Sequence, residues 1–122
     1  MTRVVVLICG TREGVDEQLI IRDVMELEQR FGADNLFIVQ GGALGVDAQA
    51  RRIAVNRKLC HAEFPANWSR YGKAAGPIRN QDMLDIARPQ VVLAYPSRAS
   101  IGTRHMIQIA RERGIEVIVR EP

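Results

Sequence analysis

The fold is decided first by the stretch Val4-Val5-Val6-Leu7-Ile8-Cys9, an apolar run in which four of the six residues are β-branched. An unbroken run of this length and composition predicts a β-strand that is buried on both faces, as in a parallel sheet. The apolar residues that come next recur at helical spacing up to Gly32, namely Ile20, Val24, Leu27 and Phe31. The pattern therefore changes from strand to helix across one connection.

The same alternation continues along the rest of the chain. Further strands are predicted at 36–39, 60–64, 91–95 and 115–119, each separated from the next by a helical pattern. This order predicts an α/β fold, a Rossmann-like three-layer sandwich with a five-stranded, mostly parallel sheet. We expect strand order 3-2-1-4-5, with a flavodoxin-like order as the alternative. No repeat or linker interrupts the pattern, so residues 1–122 are expected to form a single domain.

The composition is that of an ordinary globular protein, with 47% hydrophobic and 25% charged residues. The longest apolar run is too short to span a bilayer and too short for a secretory signal, so we expect a cytoplasmic protein without a membrane partner. Cys9 and Cys60 are expected to be small core residues in a reducing compartment. With only His61 and His105 besides them, no metal-binding pattern exists, and we expect neither a metal nor a cofactor.

The net charge of +3 suits a phosphorylated ligand. The basic residues are dispersed, and their only doublets are Arg51-Arg52 and Arg57-Lys58. Nucleic-acid binding usually requires a compact basic stripe, so nucleic acid is disfavoured as a partner.

Ligands of open parallel sheets bind beyond the carboxyl ends of the strands, so the segments that follow the strands are candidate sites. After the first strand, Gly10 would let the backbone approach a ligand. Thr11 and Arg12 can donate hydrogen bonds to an anion. The alternative is an ordinary strand-to-helix turn with a surface arginine.

The second strand is followed by Gly41-Gly42-Ala43-Leu44-Gly45-Val46-Asp47. Gly41, Gly42 and Gly45 predict a tight turn that brings the N–H groups of the next helix close to a ligand. The segment lacks the Lys-Ser/Thr pair of a P-loop and the spacing of the dinucleotide fingerprint. Asp47 is expected in the first helical turn, either accepting from a ribose hydroxyl or interacting with the helix dipole.

The third strand leads into a loop with two aromatic residues, Trp68 and Tyr71, which either stack on a base or pack the loop onto the domain. This loop leads into a helix predicted to open at Gly76. Lys73 before this helix, and Arg79 and Asn80 in its predicted first turn, suggest an anion site, since a helix N-terminus otherwise disfavours cations. The alternative is two solvated basic side chains.

After the fourth strand, Pro96 and Ser97 begin a connection to the last helix. Ser100 is expected to cap that helix. Gly102 and Thr103 at its entrance offer further backbone amides to an anion. All four segments converge on one edge of the predicted sheet.

Taken together, these motifs resemble the SLOG superfamily, and most closely its YspA-type branch. The resemblance implies a Rossmann-like domain that binds a nucleotide or a nucleotide-derived ligand, with Lonely Guy phosphoribohydrolases and DNA-processing protein A among its relatives. It also implies homo-oligomers, since relatives often pair through helices beside the site. The resemblance extends over nearly the whole chain, and its marker segments are 10–12, 41–47, 64–68, 71–80 and 102–103.

The Lonely Guy enzymes carry an Arg-Lys pair early in the third helix, and Arg79-Asn80 matches it with the arginine kept, which makes Arg79 the candidate catalytic residue. Their motif after strand four, Pro-Gly-Gly-x-Gly-Thr-x-x-Glu, is matched at its ends by Pro96 and Gly102-Thr103. Met106 stands in place of the glutamate, and a thioether cannot stabilise an oxocarbenium-like centre or activate water. Hydrolysis would need a relocated carboxylate, for which the candidates are Glu13, Asp47, Glu63 and Asp82.

Three functions follow from these observations. The first is a binding module that senses, carries or sequesters a nucleotide or nucleotide-derived phosphorylated ligand. The second is an N-glycosidic hydrolase acting on a nucleoside monophosphate, and the third is binding of single-stranded nucleic acid.

Overall fold

A computed structural model of the chain describes residues 3–121. Five strands form one sheet in the order β3-β2-β1-β4-β5, and every neighbouring pair is parallel. The predicted Rossmann-like order is confirmed, and the flavodoxin-like alternative is wrong. The strands are β1 (Val4–Gly10), β2 (Leu36–Gln40), β3 (Cys60–Glu63), β4 (Val91–Tyr95) and β5 (Glu116–Val119).

Helices connect the strands, and shorter helical turns accompany them. The α-helices are α1 (Glu17–Phe31), α2 (Val46–Asn56), α3 (Trp68–Tyr71), α4 (Ala75–Asp82) and α5 (Ile101–Glu112). Turns of 3₁₀-helix lie at Ala33–Asn35 and Gly72–Ala74, and α4 continues as a π-helical turn over Met83–Ala87. Within residues 3–121, no helix has both the length and the apolarity needed to cross a membrane.

The sheet is covered on both faces, which explains its unbroken apolar strands. Successive side chains of a strand point to opposite faces, so Val6 and Leu7 belong to different cores. Val6 packs with α1 and α2, whereas Leu7 packs with α5 and the π-helical turn after α4. Both residues are fully buried. The connecting helices of the β1–β2–β3 half therefore lie on one face and those of the β4–β5 half on the other.

Three expectations about local structure are wrong. The loop predicted between β3 and the following helix is largely helical, since α3 and a 3₁₀ turn occupy 68–74. Because α4 begins at Ala75, Arg79 and Asn80 lie in its second turn and not in its first. Cys60 is exposed rather than buried, because β3 is a short strand at the edge of the sheet, whereas Cys9 is half-buried.

Candidate functional site

A crevice of about 340 Å³ lies where the carboxyl ends of β1 and β4 meet. These neighbouring strands lead into helices on opposite faces of the sheet, so the crevice occupies the topological switch point at which open α/β sheets bind ligands. Residues that follow β1, β2 and β4 and residues of α4 form its walls. The predicted ligand-binding residues that line it are Gly10, Thr11, Arg12, Gly41, Asp47, Arg79, Asn80, Ser97, Gly102 and Thr103.

A second space of about 460 Å³, which we call the side cavity, adjoins the crevice. It is also lined by Arg12, Gly41, Ala43 and Arg79, so the two spaces meet at these residues. The remaining lining residues are Gly42, Leu44, Pro65, Ala66 and Trp68.

Five predicted residues line neither space. Tyr71 lies under the Arg70 guanidinium at 5.1 Å, and Lys73 is exposed on the 3₁₀ turn. Gly76 lies against the ring of Trp68, because a Cβ at Gly76 would be 3.4 Å from the Trp68 Cη2 atom. The other two are Gly45 and Pro96. A ligand-binding role for these residues stays a prediction.

The glycine-rich turn after β2 is built around the carboxylate of Asp47. The Asp47 Oδ2 atom accepts hydrogen bonds from the Gly41 and Ala43 amides at 3.2 and 3.1 Å. The Gly42 amide donates to Gln40 Oε1 at 2.5 Å. These three amides are therefore satisfied within the protein. Burial raises the pKa of Asp47, although the hydrogen bond from Ala43 and the charge of Arg79 oppose this effect.

Close packing within the protein favours glycine at two positions of this turn. A Cβ on Gly41 would collide with the Arg79 guanidinium. A Cβ on Gly45 would collide with the Thr11 carbonyl, and Gly45 also has a φ of +75°, which side chains rarely adopt. The glycine spacing therefore reflects the packing of this turn on its neighbours.

Arg79 connects α4 to the ends of β2 and β3. Its Nη1 atom donates to the Gly41 carbonyl at 2.5 Å and to the Phe64 carbonyl at 3.4 Å, and its Nε atom donates to Asn80 Oδ1 at 3.1 Å. Burial lowers the pKa of this guanidinium, and Asp47 opposes the shift. Within residues 3–121, Nη2 has no hydrogen-bond partner. Arg79 thus joins the segments that follow β2 and β3, and its Nη2 group stays unpaired within this part of the chain.

Asn80 holds the start of α5 against α4. Its Nδ2 atom donates to the Gly102 carbonyl at 3.1 Å and lies 3.0 Å from His105 Nδ1. An amide nitrogen only donates, so we assign His105 the tautomer with its proton on Nε2. Both donors of the Asn80 amide group are used in positioning α5.

The first turn of α5 presents free backbone amides to the crevice. Ser100 does not cap this helix, contrary to the prediction, because its Oγ atom accepts from the Ser97 amide at 2.8 Å. Among residues 3–121, the amides of Gly102 and Thr103 have no hydrogen-bond partner, as is usual for the first turn of a helix. The crevice therefore contains at least two unpaired backbone donors.

The β1–α1 loop adds a free cation and a carboxylate. The side chain of Arg12 is exposed and makes no hydrogen bond or ion pair to any residue of 3–121. The Thr11 hydroxyl donates to the carboxylate of Glu13, and this hydrogen bond holds the pKa of Glu13 below its ordinary value. Glu13 is therefore ionised at neutral pH.

Only two of the four carboxylates considered for hydrolysis line the crevice. Glu13 and Asp47 line the crevice, whereas Glu63 and Asp82 do not. Glu63 accepts a hydrogen bond from Gln40 Nε2 at 2.9 Å. Met106, which the resemblance to the hydrolases places where they have a glutamate, is buried and lines the crevice.

The apolar residues that line the crevice and the side cavity were not predicted from the sequence. Leu44 and Ile101 are strongly exposed at the site, and each lies inside or beside a glycine motif, a signal that could have identified them. The other lining residues that were not predicted are Cys9, Ala43, Pro65, Ala66, Met83, Ala99, Ser100 and Met106.

Comparison with known proteins agrees with this architecture. Residues 4–71 match the model of the YspA, cpYpsA-related SLOG family. The Gene 61 protein of Mycobacterium phage D29 is 36% identical over 118 residues, which is 93% of each chain. DNA processing protein A (DprA) from Streptococcus pneumoniae shares the fold, with a TM-score of 0.75 at 18% identity over 96% of this chain. That likeness covers 50% of the DprA chain, so the present chain spans about half its length. The chain belongs to the YspA, cpYpsA-related SLOG family.

Proposed function

We propose that the crevice binds a nucleotide or a nucleotide-derived phosphorylated ligand, which the protein senses, carries or sequesters. The observation that carries this proposal is the convergence, at the switch point of the sheet, of the free Arg12 guanidinium with the unpaired amides of Gly102 and Thr103. Family membership supports the proposal, since the SLOG resemblance implies ligands of this class.

The phosphate would lie at the N-terminus of α5. Free amides and the helix dipole both favour an anion there. Arg12 would add a charge-assisted hydrogen bond, and the free Nη2 of Arg79 a second one. The glycine turn after β2 would contact the ligand without donating hydrogen bonds from residues 41–43, because these three amides already have partners within the protein.

One observation favours hydrolysis as a second candidate function. Glu13 places an ionised carboxylate in the wall of the crevice, and such a group could stabilise a ribosyl cation. This candidate predicts release of free base from a nucleoside monophosphate and loss of that release in Glu13→Gln. Absence of turnover at high enzyme concentration would leave only the binding function.

Native mass spectrometry of the purified protein, followed by denaturation and identification of any released molecule, tests the binding proposal. If no molecule co-purifies with the protein, a panel of nucleotides is screened for binding by thermal shift. At a concentration of about 100 Kd, a ligand should raise Tm by roughly 5–10 °C. An empty protein that no nucleotide stabilises would contradict the proposal.

The variant Gly102→Leu tests whether the ligand binds in the crevice. Apart from its chain neighbours and the backbone of its own helix, a Cβ on Gly102 has no protein atom within 4 Å, so we expect the larger side chain to fit without a clash. We expect the variant to fold and to lose the thermal shift, because its side chain occupies the space in front of the free amides.

A further inference from the structure

Strand β5 forms one edge of the sheet, and one side of its backbone has no partner within residues 3–121. The Arg120 amide donates to the Ala94 carbonyl of β4 at 2.8 Å. Because the amides of a strand point alternately to its two sides, Ile118 also faces β4, whereas the N–H and C=O groups of Val117 and Val119 face the open side. These groups form a template on which another strand can pair.

The side chains of β5 are unusually apolar for an edge strand. Val117, Ile118 and Val119 follow one another, and all three are only half-buried. Strand β3, at the other edge of the sheet, has the exposed polar residues His61 and Glu63 instead. Charged and polar side chains are a usual protection of an edge against pairing. The open side of β5 is therefore the edge that is better suited to contact another strand.

The sequence of β5 is complementary to itself when two copies run antiparallel. A two-fold axis at Ile118 places Val117 of one copy opposite Val119 of the other. The N–H and C=O groups that face the open side then belong to hydrogen-bonded pairs, each of which exchanges two hydrogen bonds. The same register places Glu116 opposite Arg120, and opposite charges at such positions stabilise an antiparallel pair.

Both charged residues of this register are ionised and accessible. Glu116 forms an ion pair with Arg30 and Arg120 forms one with Asp23, so both side chains lie on the face of the sheet that α1 covers. The hydrogen bond from Arg30 holds the pKa of Glu116 below its ordinary value. The side chains of Glu116 and Arg120 are still 41% and 49% exposed, which leaves them free to contact a second copy.

A groove of about 500 Å³ lies beside this edge, on the face of the sheet that α5 covers. Val119 lines it, and Val117 of a second copy would pack there against Val119. Stable dimers usually bury ~1,200–2,000 Å² in total, which is more than a strand of four residues supplies, so the α5 helices beside the groove would add to the contact. The charges of the groove balance, and its charged residues are Arg104, Arg111, Glu112 and Glu121.

We propose that a second copy of this chain occupies the open side of β5, so that two β5 strands pair antiparallel about Ile118 and join two sheets into one. This pairing uses a sheet edge, and it differs from the pairing through helices beside the site that the family resemblance implies. It does not depend on the proposed function, because no residue of 116–120 lines the crevice or the side cavity.

Analytical ultracentrifugation of the full chain, from micromolar to millimolar concentration, tests the proposal, and we expect a species of twice the mass of the chain. Val117→Pro removes an amide that faces the open side and spares the pairing with β4, so it should raise the Kd of the dimer at least about tenfold. His61→Pro is the matched control. Since the Phe64 amide donates to the Gln40 carbonyl, the amide of residue 61 faces the open side of β3, and its loss should change the Kd less than twofold.

An engineered disulfide tests the register. In a Cys60→Ser background, which removes the exposed thiol, Ile118→Cys would place two cysteines across the axis with their Cα atoms about 4.5 Å apart. This separation lies within the range of roughly 4.4–6.8 Å that disulfides allow. Glu116→Cys is the control, because its two copies would be more than about 13 Å apart. We expect mild oxidation to give a covalent dimer of the first variant and to leave the second monomeric on a non-reducing gel.

Three results would overturn the proposal. The first is a wild type that stays monomeric over the whole concentration range. The second is a dimer that Val117→Pro and His61→Pro weaken equally. The third is cross-linking of Glu116→Cys to the same extent as Ile118→Cys, or no cross-linking of Ile118→Cys. Circular dichroism checks that the proline variants fold, and if Val117→Pro does not, the cross-linking result decides.

Discussion

The carboxylate of Asp47 accepts the amide hydrogen of Gly41 at 3.2 Å, and this contact closes the turn between β2 and α2 on itself. The same oxygen accepts the Ala43 amide at 3.1 Å. The turn has the glycine content of a phosphate loop, yet a side chain of the protein occupies the place that an anion would take. This relationship favours α5 and Arg12 over this turn as the proposed anion site, and it gives Asp47 a structural role.

Replacing Asp47 with alanine should therefore destabilise the fold. The change leaves two amides without their acceptor and removes the negative charge that faces Arg79, and we expect a loss of about 2–4 kcal/mol in the free energy of unfolding. Urea denaturation followed by circular dichroism measures this loss. Asp34→Ala, at an exposed aspartate in the 3₁₀ turn after α1, should cost less than about 0.5 kcal/mol. Equal stabilities of the two variants would show that Asp47 does not hold the turn.

The contribution of Asp47 should also depend on pH. Burial raises its pKa in the folded state above the ordinary value of 3.8, so the folded chain holds this proton more tightly than the unfolded chain. The resulting stabilisation is complete below the unfolded pKa and is lost as the pH rises through the folded pKa. Asp47→Asn does not titrate, so its stability relative to the wild type should increase from about pH 4 toward neutrality. A stability difference that stays constant over this range in urea titrations would contradict the shift.

Two glycine-to-alanine changes beside the crevice should differ in their effect on the stability of the fold. Gly45→Ala forces a side chain onto the Thr11 carbonyl at a φ of +75°, and we expect it to cost at least about 2 kcal/mol. Gly102→Ala enters open space in the first turn of α5, and it should leave stability unchanged or raise it by up to about 1 kcal/mol. Thermal melts of both variants make the comparison. A destabilised Gly102→Ala would mean that this space is not open.

The end of β4 should depend on a buried polar pair. The Tyr95 hydroxyl donates to Asp23 Oδ2 at 2.7 Å, and Arg120 binds the same carboxylate. Tyr95→Phe keeps the ring and loses one hydrogen bond, for an expected cost of about 1–2 kcal/mol. Asp23→Ala should cost more, because it leaves the hydroxyl buried without its acceptor. Chemical denaturation gives both values, and the reverse ranking would argue against this pairing.

The order of the strands and helices and the arrangement of the sheet could be predicted from the sequence alone. Apolar runs of strand length alternating with helical patterns are local properties, and together with the handedness of crossovers they predicted the observed strand order. The position of Cys60 was not predictable in this way, because its exposure depends on β3 being the edge strand, which is a property of the whole sheet.

The sequence predicted which residues lie at the site but not how they are hydrogen-bonded to one another. Arg12, Arg79, Gly102 and Thr103 were named from their places after strands, and the structure brings all of them to one crevice. Their hydrogen-bond partners could not be read from the sequence. That Asp47 occupies the amides of its own turn, and that Ser100 bonds to Ser97 instead of capping α5, are outcomes of competition between neighbouring groups. That Lys73 lies on a 3₁₀ turn and lines neither space was likewise not predicted.

The central claim, that Arg12 binds a phosphate at the switch point, is tested most directly by calorimetric titration of ADP into the wild type, Arg12→Ala and Arg51→Ala. Arg51 is an exposed arginine of α2 outside both spaces, so the two variants lose the same charge. We predict that Arg12→Ala weakens ADP binding at least about tenfold, as expected for a lost charge-assisted hydrogen bond, and that Arg51→Ala changes it less than about twofold. Equal weakening by both variants, unchanged affinity in Arg12→Ala or absence of ADP binding by the wild type would contradict the account.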